Sequence, residues 1–307
     1  MKRVLVLLAV LMVCLGVLAG GASAGEKVVL PRYPDLKIGI TTANLLKFMP
    51  VNLANAKKYV DFAVDHGFSY VELRDPVASL TLAECKEIAV YAKQRDIDMS
   101  YAVNVGILDP NYMEVFSRAV ANAAVFDGPR TIRTAMPGLE FANNEKKTAW
   151  SFAEFTKIVE TANQAANMAK MVGLQYVVEN AFEVLKGDGV TSFGATEFFA
   201  NVNTNVGFQL DTANFFAVSR VPPKAEAAAD FLRTLSPRMG YLHLKTATKD
   251  GKQSPVLAEN PLIFEIVFWE AVKHKKPYVA IELFPPDTME QVNANHKASI
   301  VYLMQNF

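Results

Sequence analysis

The chain has 307 residues, 51% of them hydrophobic, which is ample for one large core. Acidic and basic residues balance at 31 each, so no electrostatic footprint for nucleic acid is present. The length suits two average domains or one large α/β barrel of roughly 250 residues.

The first 24 residues read as a signal peptide. Lys2 and Arg3 precede an apolar run from Val4 to Ala19, and the small-residue stretch Ala22 to Ala24 follows as a cleavage site. The expectation is an exported protein, periplasmic or secreted, cleaved near Ala24. The run is too short to favour a membrane span, so none is expected after cleavage; an uncleaved anchor is the alternative. Cys14 is not read as a lipid attachment site, because Val13 is bulky where a small residue is needed. Cys85 is then the one cysteine of the mature chain, and it reads as a small buried hydrophobe in an amphipathic helix.

From Gly25 onward, strand and helix patterns alternate. Short β-branched or aromatic runs appear in LKIGITTAN, YVELRD, DMSYAVN, TIRTAMP, QYVVEN, VGFQLDTAN, MGYLHLKTA and YVAIELF. Helical periodicity fills the gaps: Asn52 to His66, Thr81 to Arg95, Asn111 to Phe126, Ser151 to Val172, Gly194 to Asn203, Pro222 to Leu235, Glu259 to His274 and Thr288 to Gln305. Thr81 with Glu84, and Ser151 with Glu154, have capping-box spacing. Gly67 and Gly173 stand where a left-handed helix cap is wanted. Eight strand–helix repeats without a linker predict a single (β/α)8 TIM barrel over residues 25–307. An open doubly wound sheet would want a Gly-rich turn after its first strand, and GITTANLLKF is not one.

Active sites of such barrels sit at the C-terminal strand ends. The strands deliver Glu72 and Arg74, Asn104, Arg133, Glu179 and Asn180, Asp211 and Asn214, His243 and Lys245, and Glu282 in chain order. In MGYLHLKTA, a period of two sends Leu242 and Leu244 to the helices and His243 and Lys245 to the interior. Any one such residue is more often structural. Four successive strands, however, each offer a metal-ligand type at the same end: Glu179, Asp211, His243 and Glu282. Converging carboxylates repel one another unless a cation intervenes. Carboxylates with an imidazole and no thiolate suit one divalent ion: manganese, zinc, cobalt or magnesium.

The motifs VVEN, QLDTAN, YLHLK and AIEL resemble, in strand order, those of the xylose isomerase-like superfamily, and specifically its sugar phosphate isomerase/epimerase group. The resemblance implies one divalent metal held by Glu179, Asp211, His243 and Glu282, with Glu179 and Glu282 moving a substrate proton. Two positions depart from the family pattern: Asn214 and Ala181 stand where histidines are common. The chain has four histidines, with His66, His274 and His296 in or at the ends of helices, so a multi-zinc nuclease is not expected.

The leading expectation is a metal-dependent isomerase or epimerase of a small sugar, keto-sugar or cyclitol, acting through an enediolate. Glu72, Arg74, Asn104, Arg133, Asn214 and Lys245 are the expected substrate contacts, with Asn44 and Asn180 as further sugar hydrogen-bonders. The first alternative is an exported keto-glycoside lyase or inosose-type dehydratase on the same site. The second is a non-catalytic sugar-binding barrel. Whether the chain forms a homo-oligomer is left open by its sequence.

Overall fold

A computed structural model describes residues 26–135, 150–179, 195–213, 233–234, 236–246, 254–257, 261–284 and 286–307. The expected signal peptide, Asn180, Ala181, Asn214 and almost all of the helix expected over Pro222 to Leu235 lie outside these residues.

Eight strands follow in chain order: β1 (Lys37–Thr41), β2 (Tyr70–Arg74), β3 (Asp98–Gly106), β4 (Thr131–Ala135), β5 (Gln175–Glu179), β6 (Val206–Asp211), β7 (Met239–Leu244) and β8 (Tyr278–Ile281). The intervening helices are α1 (Leu53–Asp65), α2 (Leu82–Gln94), α3 (Tyr112–Ala123), α4 (Phe152–Met171), α5 (Ala195–Asn201), α6 (Pro261–Lys273) and α7 (Met289–Asn306). Each strand pairs in parallel with the next, and β1 pairs with β8 through Ile38 and Val279. The sheet therefore closes into a barrel, and the open doubly wound alternative is excluded.

The strand alternation sorts side chains as the sequence predicts. Val71, Leu73, Leu242, Leu244, Ile281 and Leu283 join the outer core with helix residues such as Ile88, Phe116, Ile158 and Leu303. Tyr70, Val177, Tyr241 and Ala280 form a separate inner layer. A strand cannot present neighbouring residues to one face, so the inner layer and the polar residues above it share one parity.

Local signals set the helix ends. Thr81 and Glu84 form a reciprocal capping box, as do Ser151 and Glu154. A third, between Thr288 and Gln291, starts α7. Gly67 and Gly173 both have φ of 72°, a conformation in which a Cβ would be strained. Cys85 is fully buried, and burial, with smaller pushes from Asp75 and Glu84, raises its thiol to about 12, which suits a packing role rather than a nucleophile. No helix among the described residues is long and apolar enough to cross a membrane.

Candidate functional site

The C-terminal ends of four adjacent strands bring Glu179, Asp211, His243 and Glu282 together. Pairing register sets their common height: Asp211 stands opposite His243, and His243 stands opposite Ala280, two residues before Glu282. Glu282 lies just past β8, where its backbone N–H donates to the Leu244 carbonyl at 2.9 Å. All four side chains are buried, and each offers one ligand atom within 4.8 Å of the others.

The cluster is threaded with cations from the chain itself. Arg74 Nη2 lies 3.0 Å from Glu282 Oε2 and 3.3 Å from Glu72 Oε1. Lys245 Nζ lies 2.9 Å from Glu282 Oε1 and 3.6 Å from Asp211 Oδ2. Arg133 pairs with Glu179 and donates to Asn104 Oδ1 at 2.7 Å. The sequence leaves a bound ion as the remedy for converging carboxylates, whereas the structure adds three fixed guanidinium and ammonium groups. Among the described residues, four carboxylates, counting Glu72, stand beside these three cations.

These pairings decide protonation. Burial would raise the Glu282 carboxyl, but Arg74, Lys245 and His243 outweigh it and hold it well below the usual range. Burial would likewise raise Glu72, and His243, Arg74 and Arg133 together lower it instead. Burial disfavours the charged forms of His243 and Lys245, yet both are raised, chiefly by Glu72 for the imidazole and by Glu282 and Asp211 for the ammonium.

The donor set fits a hard or borderline divalent ion. Four ligand atoms within 4.8 Å of one another lie close enough that these residues would hold one such ion. His243 Nδ1 lies 2.9 Å from Glu282 Oε2 and 3.9 Å from Glu179 Oε1, yet is buried without a hydrogen bond of good geometry. Such an atom is placed to serve as a ligand. Carboxylate oxygens that already accept a hydrogen bond retain lone pairs for a metal.

Other expected residues divide by position. Asn104 is exposed at the mouth, and Arg74, Arg133 and Lys245 reach into the cluster. Glu72 does not fit the expected sugar contact: it is fully buried, and both its oxygens are taken up by protein donors. Asn44 departs in the same way. Its Nδ2 donates to the Ile281 carbonyl at 3.0 Å and lies 2.9 Å from His296 Nε2, while its Oδ1 accepts from the Leu283 N–H at 3.0 Å. It therefore clamps the chain on both sides of Glu282 instead of facing a sugar.

Sequence reasoning missed Thr41, Tyr241 and Thr212. Tyr241 shares the parity of His243 and Lys245, so strand alternation could have found it. Thr212 donates to the Lys245 carbonyl at 2.7 Å and accepts from the Lys245 N–H at 2.9 Å, which no local pattern signals. Elsewhere, Ser236 approaches His274 Nε2 at 3.1 Å beside Glu270. This is no nucleophile relay, because Glu270 meets the same ring nitrogen at 3.3 Å instead of orienting the ring through the other one.

A closed barrel with a carboxylate–imidazole cluster at its strand ends defines a class of protein. The sequence matches the Xylose isomerase-like TIM barrel family over residues 60–290, and the chain belongs to that family. Solved structures share its fold at low identity. A sugar phosphate isomerase/epimerase from Parabacteroides distasonis ATCC 8503 superposes with a TM-score of 0.62 at 14% identity, over 93% of this chain and 96% of that one. The D-psicose 3-epimerase of Clostridium cellulolyticum H10, solved with D-tagatose, gives 0.63 at 14% identity, over 88% and 99%. A Xylose isomerase-like TIM barrel protein from Mycobacterium smegmatis, in complex with magnesium, gives 0.61 at 16% identity, over 88% and 97%. A comparison with curated proteins finds no match.

Proposed function

We propose that the protein is a divalent-metal-dependent isomerase or epimerase of a small keto-sugar or cyclitol. The observation that carries this reading is the convergence of Glu179, Asp211, His243 and Glu282 on one buried point at the strand ends. Two further facts support it: the solved relatives include ketose 3-epimerases crystallised with D-tagatose and D-allulose, and one relative holds magnesium.

Glu179, Asp211, His243 and Glu282 would hold the ion. When bound, it supplies Lewis acidity to a chelated carbonyl and its neighbouring hydroxyl. Glu179 and Glu282 come from different strands and flank His243 Nδ1, so they can address a substrate carbon from two sides. One takes the proton next to the carbonyl, and the other returns a proton to that carbon or its neighbour. Arg74, Lys245 and His243 hold Glu282 ionised, the form in which a carboxylate can bind a metal. Arg74, Arg133 and Lys245 steady the negative charge that develops, without having to reorganise.

The test is incubation of the metal-loaded protein with ketoses, inososes and 3-keto-glycosides in D2O. Isomerase action gives a product of new retention time with deuterium at the reacting carbon and no fragment lost. Loss of water or an aglycone instead makes the protein a lyase, and bound sugar without deuterium uptake makes it a binder. The same proposal includes export. Mature protein recovered outside the cytoplasm should begin near Gly25, and recovery only of full-length cytoplasmic chain would refute that part.

A further inference from the structure

Glu72 is a fully buried carboxylate that the proposed chemistry does not use. Its Oε1 accepts from Thr41 Oγ1 at 2.7 Å and from Arg74 Nη2 at 3.3 Å. Its Oε2 accepts from the Tyr241 hydroxyl and faces His243 Nε2 at 2.7 Å. With Thr41, Arg74 and Tyr241 all donating to it, Glu72 acts as the acceptor, which makes Nε2 of His243 the nitrogen that donates to it. That leaves Nδ1 as the nitrogen turned toward Glu179 and Glu282. Arg74 is shared as well, since the Nη2 that meets Glu72 also lies 3.0 Å from Glu282 Oε2.

We propose that Glu72 is the positioning residue of the site, fixing the ring of His243 directly and the carboxylate of Glu282 through Arg74. The inference rests on the proposed metal reading and deepens it. A carboxylate buried only to neutralise Arg74 would need one oxygen for that task. Here a whole oxygen is committed to Tyr241 and His243, on a strand far away in sequence. The Tyr241 ring packs edge-on against His243, so the phenol and the carboxylate restrain the imidazole together. Partners of this kind orient a ligating histidine and select which nitrogen binds.

The test uses purified full-length protein loaded with Zn2+. Ring nitrogen NMR of the wild type should show His243 protonated at Nε2 and zinc-bound at Nδ1. Calorimetric Zn2+ affinity of Glu72→Gln should fall by roughly the 10- to 100-fold typical of losing such a partner. In Tyr241→Phe, which keeps the Glu72–His243 hydrogen bond, the tautomer should be unchanged and affinity nearer wild type. Wild-type protein bound through Nε2, or Glu72→Gln binding zinc as wild type does, overturns the inference while leaving the metal reading intact. Wild type that binds no divalent ion overturns the metal reading, and this inference with it. The wild-type spectrum needs no variant, so it decides the question even if Glu72→Gln fails to fold.

Discussion

Glu282 carries two duties that substitution can separate. Its oxygens meet Lys245 and Arg74, and it lies 2.9 Å from His243 Nδ1. Glu282→Gln keeps the shape and one ligand oxygen but removes the charge and nearly all basicity. Turnover should fall by the roughly 10²- to 10⁴-fold of a lost general base, while metal affinity falls modestly because three ligands remain. His243→Ala removes a ligand and no proposed base, so added metal should partly restore its turnover. Steady-state assays across a metal titration check both variants. Full rescue of Glu282→Gln by excess metal would reduce Glu282 to a ligand.

At the scale of elements, the turn after β1, the end of β8 and helix α7 are tied at one residue. Asn44 holds the Ile281 carbonyl, the Leu283 N–H and His296, all in the interior. Asn44→Ala leaves these groups without partners, at about 1–3 kcal/mol for each buried group stranded. The expected loss of unfolding free energy is therefore about 3 kcal/mol or more, measured by denaturant titration; a loss below about 1 kcal/mol would contradict the clamp. His296 adds a pH dependence. Desolvation, with a smaller push from His66, lowers its imidazole to about 4, and its Nδ1 faces the Val292 carbonyl at 2.8 Å. A depressed folded pKa means that the unfolded chain takes up the proton first as pH falls. The contribution is thus complete above the ordinary histidine range near pH 6.5 and is lost progressively toward pH 4, up to about 3 kcal/mol. Replacing His296 by Gln should flatten the stability profile between those pH values; a profile of unchanged slope would assign the acid loss elsewhere.

For the whole molecule, the site joins strands from both ends of the chain, so whatever binds there bears on global stability. A divalent ion at about 100 times its dissociation constant should add about 2.7 kcal/mol, and a chelator should remove it. Thermal melts with Mn2+, Zn2+, Co2+ and Mg2+, before and after chelation, read this directly. A melting temperature indifferent to all four ions would count against the metal centre.

Much of this is legible in the sequence. Period-two alternation placed His243 and Lys245, Glu72 and Arg74, and Glu282 on the inner face, because successive strand side chains must point apart. Period 3.6, capping boxes and cap glycines marked the described helices to within a few residues, because these signals lie within one or two turns of chain. What stayed hidden depended on distance along the chain. Glu72 and His243 are separated by 171 positions, Arg74 and Glu282 by 208, and Asn44 and Leu283 by 239. The sequence alone therefore determined which residues face the barrel interior. The tertiary structure decided which of them meet: that Glu72 lies against His243, that Asn44 braces β8, and that three of the chain's own cations lie among the carboxylates. The reason is that backbone periodicity is a local property, whereas the height and neighbours of an inward side chain are set only when β1 closes onto β8 and fixes the register of all eight strands.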